Sequence, residues 1–253
     1  MQTPNGWKTL PAAITKAITT NSIRTGNFPL MDIVNTDPSF GVFIIESMDI
    51  DNELEGNLDG AVLKKMLDLC HIPNKYFYIR TVFELEEIIK LYSQSGFGFL
   101  HLACHGNEQE LGLTLEYIDF SELELIIGKH LYHRRLFLSA CKATRFELAK
   151  HFIPKYHCYS VVGSPDNIEV DKAAVFWSSF YYLMYNLNSS EMPQREIMPI
   201  LESVTKTFSV KLNYYSIIKN DHPNSIDHLR EIKYDSGQFI STILDSGFKN
   251  FYR

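Results

Sequence analysis

Two continuous apolar runs constrain the fold more than any other feature of the sequence. The first, residues 97–104, ends at His105 and Gly106. The second, residues 136–140, ends at Cys141. Each run has the length and composition of a strand that is buried on both faces, as is typical of a parallel sheet. Because open α/β folds carry their chemistry at the carboxyl ends of such strands, the runs predict an imidazole and a thiol at one edge of one sheet.

Strand and helix patterns alternate regularly from residue 40 onward. The apolar strand patterns cover 40–46, 76–80, 96–104, 135–140 and 158–162, and the amphipathic helix patterns cover 59–71, 82–93, 121–128, 144–152 and 171–186. The first helix is expected to bury Val62, Met66 and Leu69, and a hairpin is expected over 107–117. This alternation predicts an α/β fold, a three-layer sandwich with a mainly parallel central sheet and helices on both faces.

The two ends of the chain differ from this alternating part. Residues 1–38 form a predicted N-terminal extension with a helical candidate at 10–20, and residues 39–190 form the predicted core. Residues 191–253 form a C-terminal helical or mixed element that is expected to pack on the core. Within it, 194–210 predicts a helix whose start Pro199 could delay, whereas a strand pair and helices fit equally well beyond residue 221.

Composition limits the compartment and the partners. The formal net charge of −6 disfavours a general nucleic-acid-binding surface. The four cysteines, Cys70, Cys104, Cys141 and Cys158, do not suffice for a disulfide framework in 253 residues. The N-terminus lacks the basic and apolar blocks of a signal peptide, and the longest uncharged stretch, 173–190, is too polar to span a bilayer. We therefore expect a cytoplasmic protein without a cofactor and without direct membrane insertion.

The two strand ends carry residue types that suit covalent hydrolysis. The His105 imidazole can act as a general acid or base near neutral pH, and Gly106 allows a sharp turn with its N–H facing a developing oxyanion. Cys141 precedes a predicted helix, whose positive end favours a thiolate. The ordinary alternatives are a histidine and glycine that merely end a strand, and a buried structural thiol. Because a single unit separates the two strands in sequence, adjacent strands and a joint site are favoured.

Taken together, these motifs resemble the caspase-like cysteine peptidases, and within them the CHAT-domain group, which is related to separases. The segment 161–166, which ends a strand in Gly-Ser-Pro-Asp, and the following helix with Phe180-Tyr181 resemble the same group. The resemblance covers about residues 40–190. It implies a dyad of Cys141 as nucleophile and His105 as general base or acid, with an oxyanion site built from the backbone N–H groups of Gly106 and Cys141.

The resemblance also implies a class of substrate. The chain would be a cysteine endopeptidase that cuts a partner protein after a basic residue, and Asp166 would bind that residue, with Glu169 and Asp171 as competing acids. Alternatively, Asp166 is a turn former and Asp171 a helix N-cap. The acidic loop 49–55 would add negative potential at the same edge. Stand-alone bacterial members of the group often act in defence or programmed cell death, where they cleave one partner such as a gasdermin-like pore former.

Three other interpretations are compatible with the residues. Although His101 and His105 share one strand face, no Cys-x-x-Cys pair completes a metal site, so no metal is expected and His101 should be a hydrogen-bonded core residue. The acidic loop lacks the glycine and glutamate of a calcium-binding loop. The main functional alternative is a catalytically silent caspase-like adaptor, and the second is a small-molecule hydrolase or acyltransferase that uses the same dyad.

Overall fold

A computed structural model describes residues 39–187, 192–218, 228–235 and 238–244. The chain divides into two compact units, Met1–Thr36 and Asp37–Arg253, and all described residues belong to the second unit. The helix predicted at 10–20 lies outside the described residues. The predicted division into 1–38, 39–190 and 191–253 stays a prediction.

The described elements follow the alternation that the sequence predicts. The strands are β1 (Ser39–Ser47), β2 (Asn74–Tyr78), β3 (Phe97–Gly106), β4 (Glu110–Gly112), β5 (Tyr117–Asp119), β6 (Arg135–Ser139), β7 (Ser160–Gly163), β8 (Leu212–Ile218), β9 (His228–Asp235) and β10 (Gln238–Leu244). The helices are α1 (Ile50–Glu55), α2 (Asp59–Leu69), α3 (Val82–Gln94), α4 (Phe120–Ile127), α5 (Phe146–Tyr156), α6 (Val170–Asn186) and α7 (Gln194–Phe208). The predicted strands and helices differ from the observed ones by at most a few residues at each end.

One sheet passes through the whole described unit. Its strand order is β10-β9-β8-β7-β6-β3-β1-β2, and β4 and β5 form a hairpin that pairs with the end of β3. Neighbouring strands are parallel in the part of the sheet with the order β2-β1-β3-β6-β7. β8, β9 and β10 add antiparallel pairs beyond β7. β3 and β6, the two runs that end at His105 and Cys141, are direct neighbours.

Helices cover both faces of this sheet. On one face α3, α4 and α5 pack together over side chains such as Leu100 and Leu138. On the other face α2, α6 and α7 pack together over Phe99 and Phe137, and the Phe137 ring contacts Trp177 of α6 at 5.9 Å between centroids. The predicted fold class, a three-layer α/β sandwich with a mainly parallel central sheet, is confirmed.

The buried face of α2 differs from the predicted one. Leu63 and Leu67 are fully buried, whereas Val62 is 45% exposed and Leu69 is 81% exposed. Of the three predicted residues, Met66 alone packs against the core, and it is partly buried. The two stripes are both compatible with a helical period, so periodicity alone does not choose between them. Which stripe is buried depends on a contact at the start of α2. There the backbone N–H of Gly60 donates to the buried carboxylate of Glu46 and fixes the rotation of the helix.

The C-terminal part extends the sheet. α7 begins at Gln194, so Pro199 lies inside the helix and does not delay its start. β8 pairs with β7, and β9 and β10 continue outward from it. Of the two possibilities left open beyond residue 221, the described residues show the strand pair.

Candidate functional site

The neighbouring strands that lead to His105 and Cys141 end at the same carboxyl edge of the sheet. Ala103 of β3 lies opposite Ser139 of β6 in a parallel pair. Two residues further along, His105 follows on the same face of β3, and Cys141 follows just beyond the end of β6. The backbones are close there, because a Cβ atom placed on Gly106 would lie 2.9 Å from the carbonyl oxygen of Cys141. Gly106 is therefore needed for the close approach of the two strand ends.

The His105 imidazole is held by an acid that the sequence analysis missed. Nε2 of His105 lies 3.1 Å from Oδ2 of Asp49, and both side chains are about half exposed. The amide nitrogen of Asn52 lies 3.4 Å from the same Nε2. These two contacts favour opposite tautomers, and the shorter one, to a carboxylate, favours a proton on Nε2. Nδ1 is then left to accept a proton from a thiol.

Asp49 is prepared for this contact by its place at a helix start. Residues 49–55, predicted as a loop, instead form α1 with Asp49 as its N-cap, where Oδ1 accepts a hydrogen bond from the backbone N–H of Asn52 at 2.8 Å. That hydrogen bond lowers the pKa of Asp49, and the charge of His105 lowers it further. A sequence signal was available, since Asp49 and Gly56 are the N-cap and left-handed C-cap residues of a short helix.

The Cys141 thiol is partly buried and contacts the chain between β7 and α6. The backbone N–H of Ile168 points at Sγ over 3.4 Å, and Sγ lies 3.5 Å from the carbonyl oxygen of Ile168. Within the described part of the chain, no hydrogen bond joins the thiol to the imidazole. Catalytic hydrogen bonds are often long in unliganded proteins and tighten when substrate binds. The N–H of Ile168 is a donor that would stabilise a thiolate.

The turn after Cys141 is fixed by several polar contacts. Lys142 has a left-handed backbone with φ of 58°, and its N–H donates to the carbonyl oxygen of Asp166 at 3.1 Å. Arg145 donates to the carbonyl oxygens of Lys142 at 3.2 Å and of Pro165 at 3.1 Å. Its guanidinium also lies 3.0 Å from the carboxylate of Glu108 in the β3–β4 turn. Arg145 thus joins the turn after Cys141 to the β3–β4 turn and to the segment after β7.

The predicted oxyanion donors are compatible with the hairpin geometry. The N–H of Asn107 donates to the carbonyl oxygen of Glu110 at 3.0 Å, so these two residues form a hydrogen-bonded pair. Hydrogen-bonded and non-hydrogen-bonded pairs alternate along an antiparallel ladder, so Gly106 and Leu111 form a non-hydrogen-bonded pair. The N–H of Gly106 consequently points away from β4. The role of Gly106 and Cys141 as oxyanion donors stays a prediction.

The three acids predicted as alternatives for substrate binding lie in different environments. The carboxylate of Asp166 is half exposed and lies 3.2 Å from Nζ of Lys211, so a cation already neighbours it. Glu169 is the N-cap residue of α6, and Asp171 lies in its first turn with Oδ1 accepting from the N–H of Lys172 at 2.7 Å. The alternative reading of Asp171 as the N-cap is therefore wrong by two positions.

His101 is placed in the core, as expected. Its Nδ1 lies 3.2 Å from the hydroxyl of Tyr181, and burial lowers its pKa to about 3, so the ring is neutral. Among the residues that the structure describes, no group of three or more histidine, cysteine or acidic side chains could hold a metal ion. Likewise, none of the described helices is long and apolar enough to cross a membrane.

Among known proteins, the chain is similar to solved structures and not to family models or curated sequences. No protein-family model matches the chain, and no curated protein matches it. One similar solved structure is the crystal structure of caspase-1 from Spodoptera frugiperda, which is 14% identical over 80% of this chain and 88% of that chain, with a TM-score of 0.47. Another is the structure of pro-sf-caspase-1, which is 12% identical over 88% of this chain and 95% of that chain, with a TM-score of 0.46. Both are caspases, and the narrower CHAT grouping stays a prediction from the motifs.

Proposed function

We propose that the chain is a cysteine endopeptidase whose dyad is Cys141 and His105. The observation that supports this proposal is the parallel pairing of Ala103 with Ser139, which lie two residues before the imidazole and the thiol in the sequence. A thiol and an imidazole at neighbouring strand ends have the residue types and the placement that nucleophilic hydrolysis needs. Asp49 supports the role of His105, because a carboxylate on Nε2 fixes the ring and leaves Nδ1 for the thiol proton.

The proposed reaction proceeds through an acyl-enzyme. Cys141 transfers its proton to His105, and the thiolate forms a C–S bond with the scissile carbonyl carbon. Backbone N–H groups, among them that of Gly106, bind the resulting oxyanion. When the C–N bond breaks, His105 returns the proton to the leaving amine. Water then attacks the thioester, His105 takes its proton, and the release of the acid product restores the thiol.

A basic residue before the cut is the proposed specificity. Acidic side chains surround the same edge, and they are Asp51, Glu53 and Glu55 on α1, Glu108 in the hairpin, and Asp166, Glu169 and Asp171 near the start of α6. Glu53 is paired with Arg80, and Glu108 with Arg145. A cationic side chain of the substrate would compete with Lys211 for Asp166. The resemblance further suggests a protein substrate within a defence or cell-death system, such as a gasdermin-like protein.

Thiol labelling provides the test of the dyad. Burial raises the pKa of Cys104 and Cys158, so these thiols should react slowly, whereas Cys70 is partly exposed and provides an internal reference. With limiting iodoacetamide, mass spectrometry should find Cys141 alkylated at least tenfold faster than Cys70 at pH 7, because the dyad supplies a thiolate. A catalytically silent adaptor would label Cys141 no faster than Cys70.

Cleavage assays distinguish a peptidase from a small-molecule hydrolase. Arg and Lys reporter peptides should be cut by the wild-type protein, and Cys141→Ala and His105→Ala should lose this activity. Co-incubation with proteins encoded by neighbouring genes should yield one discrete cut that Cys141→Ala does not make. If Cys141→Ala cuts at the wild-type rate, the proposal is wrong.

A further inference from the structure

Two polar side chains, Glu46 and Ser139, lie in one row across the sheet, nearer to its centre than the proposed dyad. Glu46 of β1 is opposite Ala103 of β3, and Ala103 is opposite Ser139 of β6. His105 follows two residues later on β3, about 7 Å further along this face, and Cys141 follows two residues after Ser139, just beyond the end of β6. Glu46 is fully buried and Ser139 is 5% exposed, so this lower row is closed to solvent.

Asp59, the first residue of α2, reaches the middle of this row from above the sheet. Its Oδ2 accepts a hydrogen bond from the hydroxyl of Ser139 at 2.5 Å. Ala103 lies between Glu46 and Ser139, and its small side chain leaves space for the carboxyl group of Asp59. Asp59 is 2% exposed, and its carboxyl group also interacts with the neighbouring carboxyl group of Glu46.

Glu46 occupies the adjoining position as a bound carboxylate. It accepts hydrogen bonds from the N–H groups of Gly60 at 2.8 Å and Ala61 at 2.9 Å, and from the hydroxyl of Tyr76 at 2.7 Å. A Cβ atom on residue 60 would lie 3.0 Å from the carboxyl carbon of Glu46, so Gly60 is needed for this approach. Burial raises the pKa of Glu46, but these three donors oppose that shift by stabilising the charged form, so the proton of the pair belongs on Asp59.

Among the ionisable groups near Asp59, Glu46 acts on it most strongly. Burial and the charge of Glu46 raise the pKa of Asp59 to about 7. The hydroxyl of Tyr76 and the thiol of Cys104 also interact with the charged form of Asp59. At neutral pH a substantial fraction of Asp59 is therefore protonated and uncharged, which limits the negative charge beneath the proposed thiolate.

We propose that Asp59 is a positioning residue that holds Cys141 in place through Ser139. β6 ends at Ser139, and Cys141 follows after a single residue, before the left-handed turn at Lys142. The bond from Ser139 to Asp59 is thus the last side-chain anchor of β6 before the nucleophile. Neither Asp59 nor Ser139 contacts the substrate in the proposed reaction. This inference rests on the proposed function. It adds a second supporting acid, so that Asp59 supports the thiol of Cys141 and Asp49 supports the imidazole of His105.

The test compares the reactivity of Cys141 with that of Cys70 in the same molecule. Asp59→Ala and Ser139→Ala should each lower the ratio of the two alkylation rates at pH 7 about tenfold, because sub-ångström displacement of a reacting group has effects of this size. On a reporter peptide they should lower kcat about tenfold and leave KM within about twofold, since binding groups are untouched. Asp59→Asn keeps an oxygen that accepts from Ser139, and it should remain within about threefold of wild type in both assays.

Ser160→Ala is the matched control. Ser160 is a buried strand serine that accepts from Arg135 at 2.9 Å, at the other end of the neighbouring strand. Its loss should leave the alkylation ratio unchanged. The inference is overturned if the two alanine variants keep the wild-type ratio, or if Asp59→Asn loses as much as Asp59→Ala. If Asp59→Ala does not fold, the alkylation ratios of Ser139→Ala and Asp59→Asn provide the test.

The outcomes also separate this inference from the proposed function. If wild-type Cys141 is alkylated no faster than Cys70, the proposed dyad is wrong. If wild-type Cys141 reacts fast and every variant matches it, the dyad stands and only the positioning role of Asp59 is rejected.

Discussion

The free energy of unfolding of Asp59→Asn tests whether Asp59 and Glu46 interact as a buried pair of acids. Burial and the neighbouring charge of Glu46 raise the pKa of Asp59 from its ordinary 3.8 to about 7. Because one pKa unit corresponds to about 1.4 kcal/mol, a shift of about three units costs the folded state about 4 kcal/mol at pH 8. Asparagine is never ionised, so Asp59→Asn should remove this cost while it keeps an acceptor for the hydroxyl of Ser139.

The sign of the pH dependence follows from which state of the protein binds the proton of Asp59 more tightly. The folded protein binds the proton of Asp59 more tightly than the unfolded chain does. This contribution to wild-type stability is complete below pH 3.8, is lost as the pH rises to about 7, and changes no further above that value. The free energy of unfolding of Asp59→Asn, minus that of wild type, should therefore rise from near zero at pH 4 to about 2–4 kcal/mol at pH 8.

Urea unfolding at pH 4, 6 and 8, followed by tryptophan fluorescence in a Cys141→Ala background, measures this difference without self-cleavage. Asp68→Asn is the matched control, because Asp68 lies on the same helix but is exposed and paired with Lys64. Its effect on the free energy of unfolding should stay within about 0.5 kcal/mol at every pH. A difference for Asp59→Asn that is flat between pH 4 and pH 8 would show that Asp59 ionises normally in the folded state, and the reasoning would be refuted.

Three further predictions concern the edge of the sheet. Asp49→Ala should lower kcat on a reporter peptide about tenfold, because His105 loses the acid that orients it, and an unchanged kcat would exclude that role. Lys142→Gly should raise the free energy of unfolding by about 1 kcal/mol, because glycine adopts the left-handed backbone without steric cost, and urea denaturation measures this. Lys211→Met should lower KM for an Arg reporter about threefold, the size expected for an exposed ion pair, by freeing Asp166. An equal change in KM for a neutral reporter would contradict the role of Asp166.

The parts of the fold that could be predicted are those that bury apolar runs. The runs at 97–104 and 136–140 predict β3 and β6, and their separation by one unit in the sequence predicts that they are neighbours. α1 was missed because its six residues bury no side chain, so that only its capping residues mark it in the sequence. β8 was missed because most of its residues are buried on both faces, which removes the alternation that identifies a half-buried strand.

The polar contacts of the site could not be predicted in the same way. Glu46 is the eighth residue of a strand whose other side chains are mostly apolar, and Asp59 is 13 residues later at the start of a helix. Nothing local in the sequence pairs them, since their contact depends on how α2 packs across β1. The rotation of α2, which buries Leu63 and Leu67 rather than Val62 and Leu69, depends on a further long-range contact, the hydrogen bond from the N–H of Gly60 to Glu46.

One short segment supplies acids to both halves of the proposed dyad. Between the end of β1 and the start of α2, Asp49 contacts the imidazole of His105, and Asp59 contacts Ser139 just before Cys141. β1 pairs directly with β3, so the chain that leaves β1 starts next to His105 and reaches the end of β6 only across Ala103. The two acids are therefore placed by strand order and not by a motif around either reacting residue. Substitutions between residues 46 and 61 should consequently affect cleavage although they lie more than 40 residues from His105 in the sequence, whereas surface positions on α3, which lie nearer to His105 in the sequence, should not.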